Sequence, residues 1–185
     1  MVNVYFVRHA ESDHSVRDAM TRPLTEKGRI DCRLVTDFLN DKRINSVYSS
    51  PYKRAFDTVL PFAESIGLQV EIVEDFRERE FDTWVEDFTA TAKSQWNDFF
   101  LTLHGECLAD VQSRNVAALS QIISKADAAA IAVGTHGTAL STIINYFDPN
   151  YGFEDFLAMA DKMPWIVKMQ FDGTSCVNIE KIDLY

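Results

Sequence analysis

The residues of this chain that could carry acid–base or anion chemistry follow four predicted strand ends. Arg8 and His9 end the first apolar run, and the second run leads into Arg54. The third run is followed by a charged cluster, and the fourth by His136 between two glycines; the cluster comprises Arg77, Glu78, Arg79 and Glu80. Because open α/β sheets bind ligands outside the carboxyl ends of their strands, we expect these side chains to form one site.

This set of side chains suits phosphoryl transfer. Arginine guanidinium groups bind phosphate oxygens in a bidentate manner, and a helix N-terminus adds N–H groups and a favourable dipole. A neutral imidazole can attack phosphorus, and the reference pKa of about 6.5 leaves much of a histidine neutral at pH 7. Fixed cations can stabilise the loose transition state without a metal ion. A nearby carboxylic acid could protonate the leaving alkoxide and then activate water.

Apolar runs and helical patterns alternate along the chain. The runs predict strands, the last two of them as a hairpin: Val2–Val7, Ile44–Tyr48, Leu68–Val73, Ala128–Val133, Trp165–Phe171 and Ser175–Ile182. Helical periodicity predicts helices from Glu26, from Pro51 to near Gly67, and over Phe88–Leu103, Leu108–Ser124 and Thr138–Tyr146. In the first helix, Thr25 is the expected N-cap, and the apolar face is expected to comprise Ile30, Leu34, Phe38 and Leu39.

This order of elements predicts an α/β fold, a three-layer α/β/α sandwich with a largely parallel central sheet and an antiparallel C-terminal strand or hairpin. We expect residues 1–185 to form a single domain, because the length suits one sizeable core and no linker or repeat interrupts the pattern. The segment of about residues 82–106 is less regular, and its helix is expected to cover the site.

The composition narrows the class of protein. The net charge of −10 argues against nucleic acid or an anionic membrane as the main partner, although local arginines can still attract a small anion. No apolar segment approaches the roughly 20 residues of a membrane span, and the N-terminus offers no secretory signal. Three cysteines without CxxC spacing and four histidines without paired ligand spacing predict neither a disulfide framework nor a metal site. A cytoplasmic location is expected.

Six short motifs together resemble the histidine phosphatase superfamily, which includes the cofactor-dependent phosphoglycerate mutases. In chain order they read VRHAES, RPLTEKG, SSPYKRAFDT, RERE-FDTW, GECLADVQSR and VGTHGT, between Met1 and Ala139. The resemblance implies a phosphohistidine mechanism without a cofactor. His9 is similar to the nucleophile and Glu78 to the proton donor. Four residues resemble the phosphate pocket of the family: Arg8, Arg54, His136 and Gly137. His136 is also similar to a catalytic residue of the family.

Four positions leave questions open. Glu80 is an alternative proton donor, although in an extended segment it would point elsewhere than Glu78. Asp82 and Ala10 stand where the family usually has glycine, and Ser15 stands where it often has asparagine. A Cβ at residue 10 would matter if the backbone there approached phosphate or took a positive φ. His14 is expected to line the mouth of the site, and His104 to cap or pack.

Three functions follow as hypotheses. The first is a metal-independent phosphatase that hydrolyses a small phosphorylated metabolite through a phosphohistidine on His9. The second is a mutase that returns the phosphoryl group to its substrate; the family's mutases carry extra segments that exclude water, for which 185 residues leave little room. The third is a catalytically weak protein that binds a phosphorylated ligand or a partner. The sequence specifies neither the natural substrate nor the oligomeric state.

Overall fold

The core of the protein is a mixed six-stranded sheet. A computed structural model describes residues 1–126 and 130–185. Within them the strands are β1 (Val2–Arg8), β2 (Ser46–Ser49), β3 (Val70–Ile72), β4 (Ala130–Thr135), β5 (Trp165–Asp172) and β6 (Ser175–Ile182). Their order is β3-β2-β4-β1-β5-β6, with β1 to β4 parallel and β5 and β6 antiparallel. The predicted parallel sheet with a C-terminal hairpin is confirmed; residues 128 and 129 of the predicted fourth strand lie outside the described residues.

Helices cover both faces of the sheet. They are α1 (Glu26–Leu39), α2 (Lys53–Ser65), α3 (Phe88–Asn97), α4 (Leu108–Lys125), α5 (Gly137–Phe147) and α6 (Phe153–Ala158). Alternate β1 residues belong to two separate cores, as the strand period requires. Tyr5 and Val7 pack with α1 and α2, whereas Val4 and Phe6 pack with α4 and α5. The protein is therefore the expected three-layer α/β/α sandwich.

The helix predicted from Pro51 begins two residues later. Tyr52 is its N-cap in an extended conformation, and its carbonyl accepts the first helical hydrogen bonds, from the N–H groups of Ala55 and Phe56. The Tyr52 N–H is bound to the Ser50 hydroxyl, so the chain at Pro51 is still a turn. The predicted cover helix is also shorter than expected, since α3 ends at Asn97 rather than Leu103.

The buried face of α1 differs from the predicted one. Ile30 is 58% exposed, whereas Cys32 and Val35, which were not predicted, are buried together with the predicted Leu39. Gly28 lies directly against the backbone of Glu11, with which any Cβ at Gly28 would collide. This contact sets the rotation of α1 about its axis, and with it the face that is buried. The predicted N-cap is confirmed: the Thr25 hydroxyl accepts a hydrogen bond from the Gly28 N–H.

Strand register aligns the ends of β1, β2 and β4. Arg8 lies opposite Thr135, and Ser49 lies opposite Gly134. Gly134 allows α2 to lie close to the sheet, because a Cβ there would be 2.9 Å from the Ala55 carbonyl oxygen. The residues that follow the three strands therefore meet at one edge, beside the first turn of α2.

Helix length and hydropathy also bear on membrane insertion. None of the helices in residues 1–126 and 130–185 combines the length and the apolar character that a bilayer-crossing helix needs.

Candidate active site

His9, Ser50 and His136 are held side by side at this sheet edge by backbone hydrogen bonds. The His9 N–H donates to the Thr135 carbonyl at 3.0 Å, and the Ser50 N–H donates to the Gly134 carbonyl at 2.9 Å. The rings of His9 and His136 meet edge to face with centroids 5.3 Å apart. Two predicted site residues from separate parts of the sequence are thus brought into one cluster.

The hydrogen-bond partners of His9 fix its tautomer. Nδ1 lies 2.8 Å from the Ala10 carbonyl oxygen, which can only accept, so Nδ1 carries the proton. Nε2 lies 3.1 Å from Nε of Arg54, whose N–H can only donate, so Nε2 presents its lone pair. The imidazole is therefore oriented with a nucleophilic nitrogen toward the guanidinium group of Arg54.

Burial keeps His9 neutral. Burial is the main reason that the pKa of His9 lies well below the usual value, and the positive charges of Arg54 and Arg8 lower this pKa further. The bond to the Ala10 carbonyl opposes this shift but does not overcome it. The residue is thus neutral at physiological pH, the state that nucleophilic attack requires.

Two buried arginines flank His9. Arg8 Nη1 donates to the carbonyls of Met159, Ala160 and Lys162, while its Nε is buried without a hydrogen-bond partner among the described residues. Arg54 Nη1 donates to the Ala19 carbonyl at 2.6 Å.

The two guanidinium groups remain charged at neutral pH. Burial lowers the pKa of both Arg8 and Arg54 to about 10, and the charge of Glu78 counteracts this shift at each. The predicted phosphate-binding arginines are therefore anchored cations with donor capacity left for an anion.

His136 is the N-cap of α5. Its Nε2 lies 2.7 Å from the Ser50 hydroxyl, and its buried Nδ1 has no hydrogen-bond partner in the part of the chain that the structure describes. Burial lowers its pKa well below the usual value, helped by the charge of Arg54. Gly137 follows at the first position of α5, where a Cβ would lie 3.3 Å from Nε of Arg8.

Glu78 and Glu80 lie in different environments. The Glu78 carboxylate accepts hydrogen bonds at 3.0 Å from the N–H groups of both Thr138 and Ala139, at the N-terminus of α5. The Glu80 side chain is 55% exposed and pairs with Nε of Arg77 at 3.2 Å. The extended segment thus directs Glu78 toward the His136 end of the site and Glu80 away from it.

Three residues depart from the family pattern, and none of them is among the predicted site residues: Ala10, Ser15 and Asp82. Ala10 is buried beside Leu24 and Cys32, and its N–H donates to the Thr58 hydroxyl at 3.0 Å. Among the described residues only Arg43 and His104 have a positive φ outside glycine, so Ala10 takes an ordinary conformation. Asp82 and Ser15 are exposed.

The remaining two histidines are exposed. The pKa of His14 is lowered, first by desolvation and then by the charges of Arg22, Arg54 and Arg8, which places His14 near the basic side of the site. His104 precedes α4, and its carbonyl accepts the Asp82 N–H.

Two hydroxyl residues of the site were missed by the sequence analysis. Ser50 contacts His136, and the Thr58 hydroxyl links the Ala10 N–H to the Arg54 carbonyl, to which it donates at 2.7 Å. Both lie within the motif SSPYKRAFDT, where polar residues next to a strand end and on the buried side of α2 were the available signal. Across residues 1–126 and 130–185, no cluster of three or more His, Cys, Asp or Glu side chains could hold a metal ion.

Comparison with known proteins gives the family and the fold. The model of the histidine phosphatase superfamily (branch 1) matches residues 4–178. Phosphoserine phosphatase 1 of Hydrogenobacter thermophilus is 34% identical over 74 residues, which cover 38% of this chain and 35% of that protein. The chain spans only 42% and 35% of the lengths of two curated relatives that it matches.

Solved structures share the fold along almost the whole chain. Bacillus stearothermophilus YhfR superposes with a TM-score of 0.77 at 22% identity, covering 95% of this chain and 94% of its own. A phosphoserine phosphatase mutant from Entamoeba histolytica, solved with phosphoserine, gives a TM-score of 0.76 at 18% identity, covering 97% and 96%. With a family model that spans nearly all of its length, this chain belongs to the histidine phosphatase superfamily, branch 1.

Proposed function

We propose that the protein is a metal-independent phosphatase that hydrolyses a small phosphomonoester through a phosphohistidine on His9. One observation carries the proposal: a buried, neutral His9 presents its Nε2 lone pair beside two anchored arginines. An incoming phosphate oxygen replaces Nε2 as the acceptor for Arg54, which frees the lone pair for attack on phosphorus. Arg8 contributes to the same phosphate its Nε, which has no hydrogen-bond partner within residues 1–126 and 130–185.

His136 binds the phosphate as a neutral donor. The Ser50 hydroxyl oxygen accepts from the Tyr52 N–H, and we assign its own hydrogen to the bond with His136 Nε2, 2.7 Å away. The ring proton is then on Nδ1, the atom that lacks a partner among the described residues. A phosphate oxygen provides that partner and gains stabilisation as charge develops.

In the first step the His9 Nε2–phosphorus bond forms and the ester oxygen–phosphorus bond breaks. Glu78, in its carboxylic-acid form, gives its proton to the departing alkoxide and becomes a carboxylate. In the second step Glu78, now a carboxylate, takes a proton from water, whose oxygen attacks phosphorus. The nitrogen–phosphorus bond breaks, which returns neutral His9 and releases inorganic phosphate.

The position of Glu78 supports this role. Its carboxylate accepts the N–H groups of Thr138 and Ala139 at the N-terminus of α5, next to His136, and its charge acts on both Arg8 and Arg54. This charged form suits the second step, in which Glu78 takes a proton from water. Glu80 lacks these relationships and faces Arg77. We therefore choose Glu78 over Glu80 as the proton donor.

Residues 82–106 form the proposed cover segment. Its helix α3 packs through Trp96 against Phe156 of α6 and against Tyr151, with ring centroids 5.7 and 6.1 Å away. How well this segment excludes water determines whether the phosphoryl group passes to water or to another hydroxyl. The short α3 favours hydrolysis over the mutase reaction.

Small phosphorylated metabolites with a carboxylate are the first substrates to test. A relative over part of its length is named phosphoserine phosphatase, and a protein of the same fold was solved with phosphoserine. At His14 the charges of Arg22 and Arg54 each outweigh that of Asp13, and Arg22 also acts on Arg54, so the approach to the site is basic although the whole chain carries a net charge of −10. A basic approach favours anionic substrates.

The proposal is tested by a hydrolysis screen over phosphorylated metabolites and an aryl phosphate, with and without EDTA, using His9→Ala as control. We expect turnover that EDTA leaves unchanged and that His9→Ala abolishes. Loss of turnover in EDTA would refute the metal-free mechanism. Formation of 2-phosphoglycerate from 3-phosphoglycerate with 2,3-bisphosphoglycerate would favour the mutase, and phosphate binding without any hydrolysis would favour the binding protein.

A further inference from the structure

We propose that Arg114 and Glu106 form a positioning pair that holds Glu78 in place for proton transfer. This inference rests on the proposed function, since it concerns the residue assigned there as the proton donor. The two side chains come from the motif GECLADVQSR, eight residues apart, and the mechanism above gives them no role. They act on the backbone of the segment that carries Glu78.

Arg114 binds three backbone carbonyls of that segment. Its Nη1 donates at 2.8 Å to the carbonyls of both Asp75 and Arg77, and its Nη2 donates at 3.1 Å to the carbonyl of Glu78 itself. The planar guanidinium group fixes the directions of these donors, which the flexible ammonium of a lysine could not reproduce. A single side chain thus holds the backbone at three points up to Glu78.

Glu106 fixes the guanidinium group from the other side. Its carboxylate binds Arg114 in a bidentate manner, with Nε to Oε1 at 2.9 Å and Nη2 to Oε2 at 2.8 Å. Oε2 also accepts the Glu80 N–H at 2.9 Å, so the same carboxylate contacts the chain two residues beyond Glu78. The segment is therefore bound both before and after the proposed proton donor.

The charge state of Glu106 agrees with this geometry. Burial alone would raise the pKa of its carboxyl, but the hydrogen bonds from Arg114 and the Glu80 N–H, with the charges of Arg114 and Arg77, outweigh burial and lower it. Glu106 is thus a carboxylate throughout the neutral range, and the bidentate pair stays intact.

The carboxylate and the backbone of Glu78 are both attached to the same pair of helices. Thr138 and Ala139 of α5 bind the carboxylate, and Arg114 of α4 binds the backbone. The Gln112 side chain of α4 donates to the Thr142 carbonyl of α5 at 3.0 Å, which joins the two helices. Loss of the Arg114 fork would release one end of Glu78 while the other stayed bound, and the carboxyl would lose its alignment with the leaving oxygen.

The leaving group separates a positioning role from a merely structural one. An alkyl phosphomonoester such as phosphoserine needs a proton on its departing oxygen, whereas an activated aryl phosphate such as p-nitrophenyl phosphate leaves without one. Since kcat/KM covers the steps up to departure of the leaving group, its ratio for the two substrates reports proton donation. We expect Arg114→Lys to lower kcat/KM for phosphoserine about 10- to 100-fold and that for p-nitrophenyl phosphate less than about threefold.

A double-mutant cycle with Glu78→Gln identifies the residue through which Arg114 acts. Glu78→Gln is expected to show the same selective loss, and adding Arg114→Lys to it should have no further effect on phosphoserine. Asn115→Ala, a change at a buried neighbour on α4 whose side chain donates to the Val111 carbonyl, is the matched control and should leave the substrate ratio unchanged. Glu106→Gln should change the ratio in the same direction as Arg114→Lys, and it replaces that variant if the latter does not fold.

An equal loss for both substrates in Arg114→Lys, or additive losses in the double variant, would overturn the positioning role. These results are distinct from a failure of the proposed function. If wild-type protein hydrolysed neither substrate, or if His9→Ala kept full turnover, the phosphohistidine mechanism itself would be wrong. If Glu78→Gln left the ratio unchanged, the proton donor and with it the positioning pair would be wrong.

Discussion

At the scale of single residues, hydrogen-bond partners and burial determine the state of His9. The Ala10 carbonyl and Arg54 Nε–H specify which nitrogen is protonated, and burial keeps the ring neutral. The types and order of the site residues were predictable, because arginine and histidine at strand ends are unusual and their motifs match a family. The tautomer was not predictable, since it depends on contacts between residues 45 positions apart.

The alanine at position 10 is expected to be a packing residue. Its φ is not positive and its methyl group lies in a small cluster with Leu24 and Cys32, within residues that the structure describes. We predict that Ala10→Gly lowers the free energy of unfolding by about 1 kcal/mol, through the lost methyl burial and the added backbone entropy. Activity should change less than about threefold, as kcat/KM and denaturant unfolding will show. A gain in kcat/KM of several orders of magnitude would mean that Ala10 impairs the site.

The glycine at position 137 is expected to be required for phosphate binding. A Cβ there would lie 3.1 Å from Cε of Met159, at the end of a flexible side chain, and 3.3 Å and 3.5 Å from Nε and Nη2 of Arg8, so Gly137→Ala crowds the guanidinium group. We predict an increase of about tenfold in the inhibition constant of inorganic phosphate, as expected for one weakened charge-assisted hydrogen bond. Gly152→Ala is the control, because no atom of the described residues lies within 4 Å of a Cβ at that position. Unchanged inhibition by phosphate in Gly137→Ala would contradict the assignment of Arg8.

At the scale of elements, the loop after α6 orients Arg8, and the sequence did not indicate this role. Three carbonyls in residues 159–162 orient Arg8, yet the six-residue helix α6 before them was not predicted. So short a helix offers too few turns for a periodic pattern. The error at Ile30 has a related cause, since the rotation of α1 depends on the contact between Gly28 and Glu11 rather than on the apolar pattern.

Gln95 is expected to hold the cover segment together. Its buried amide Nε2 donates at 2.8 Å to the Leu101 carbonyl and at 3.3 Å to the Glu106 carbonyl. We predict that Gln95→Ala speeds amide hydrogen exchange of α3 about 5- to 150-fold, because partly buried carbonyls lose a donor at a cost of about 1–3 kcal/mol. Exchange in β1 and β4 should stay unchanged.

The control for this change is Ser94→Ala, which removes an exposed hydroxyl from the same helix. If the amides of α3 exchanged equally fast in both variants, the Gln95 side chain would not be what holds the cover segment together. If exchange also became faster throughout the sheet, Gln95 would stabilise the whole fold rather than the cover segment alone.

At the scale of the whole molecule, the neutral buried histidines make folding depend on pH. The folded pKa values of His9 and His136 lie well below the unfolded value of about 6.5, so below that pH the unfolded chain binds protons that the folded chain does not. Stability is therefore full above about pH 6.5 and falls on acidification. We predict a decrease in the free energy of unfolding of up to about 2.7 kcal/mol per pH unit between pH 6 and pH 5, at about 1.36 kcal/mol for each histidine.

Denaturant unfolding at a series of pH values above 4.5 measures this slope. That range excludes the protonation of Glu106, whose lowered pKa removes its contribution only at more acidic pH. The double variant His9→Gln/His136→Gln should flatten the dependence. A wild-type stability that stayed constant from pH 7 to pH 5 would mean that the two rings are protonated in the folded protein.

The central claim is that His9 carries the phosphoryl group during turnover. The most direct measurement is rapid mixing with ³²P-labelled phosphoserine, an alkaline quench that preserves phosphohistidine, and mass spectrometry of the labelled peptide. We predict one covalent label, on the peptide that contains His9, which acid removes and which is absent in His9→Ala. Steady hydrolysis with no label on His9, or with a label on another residue, would contradict the account.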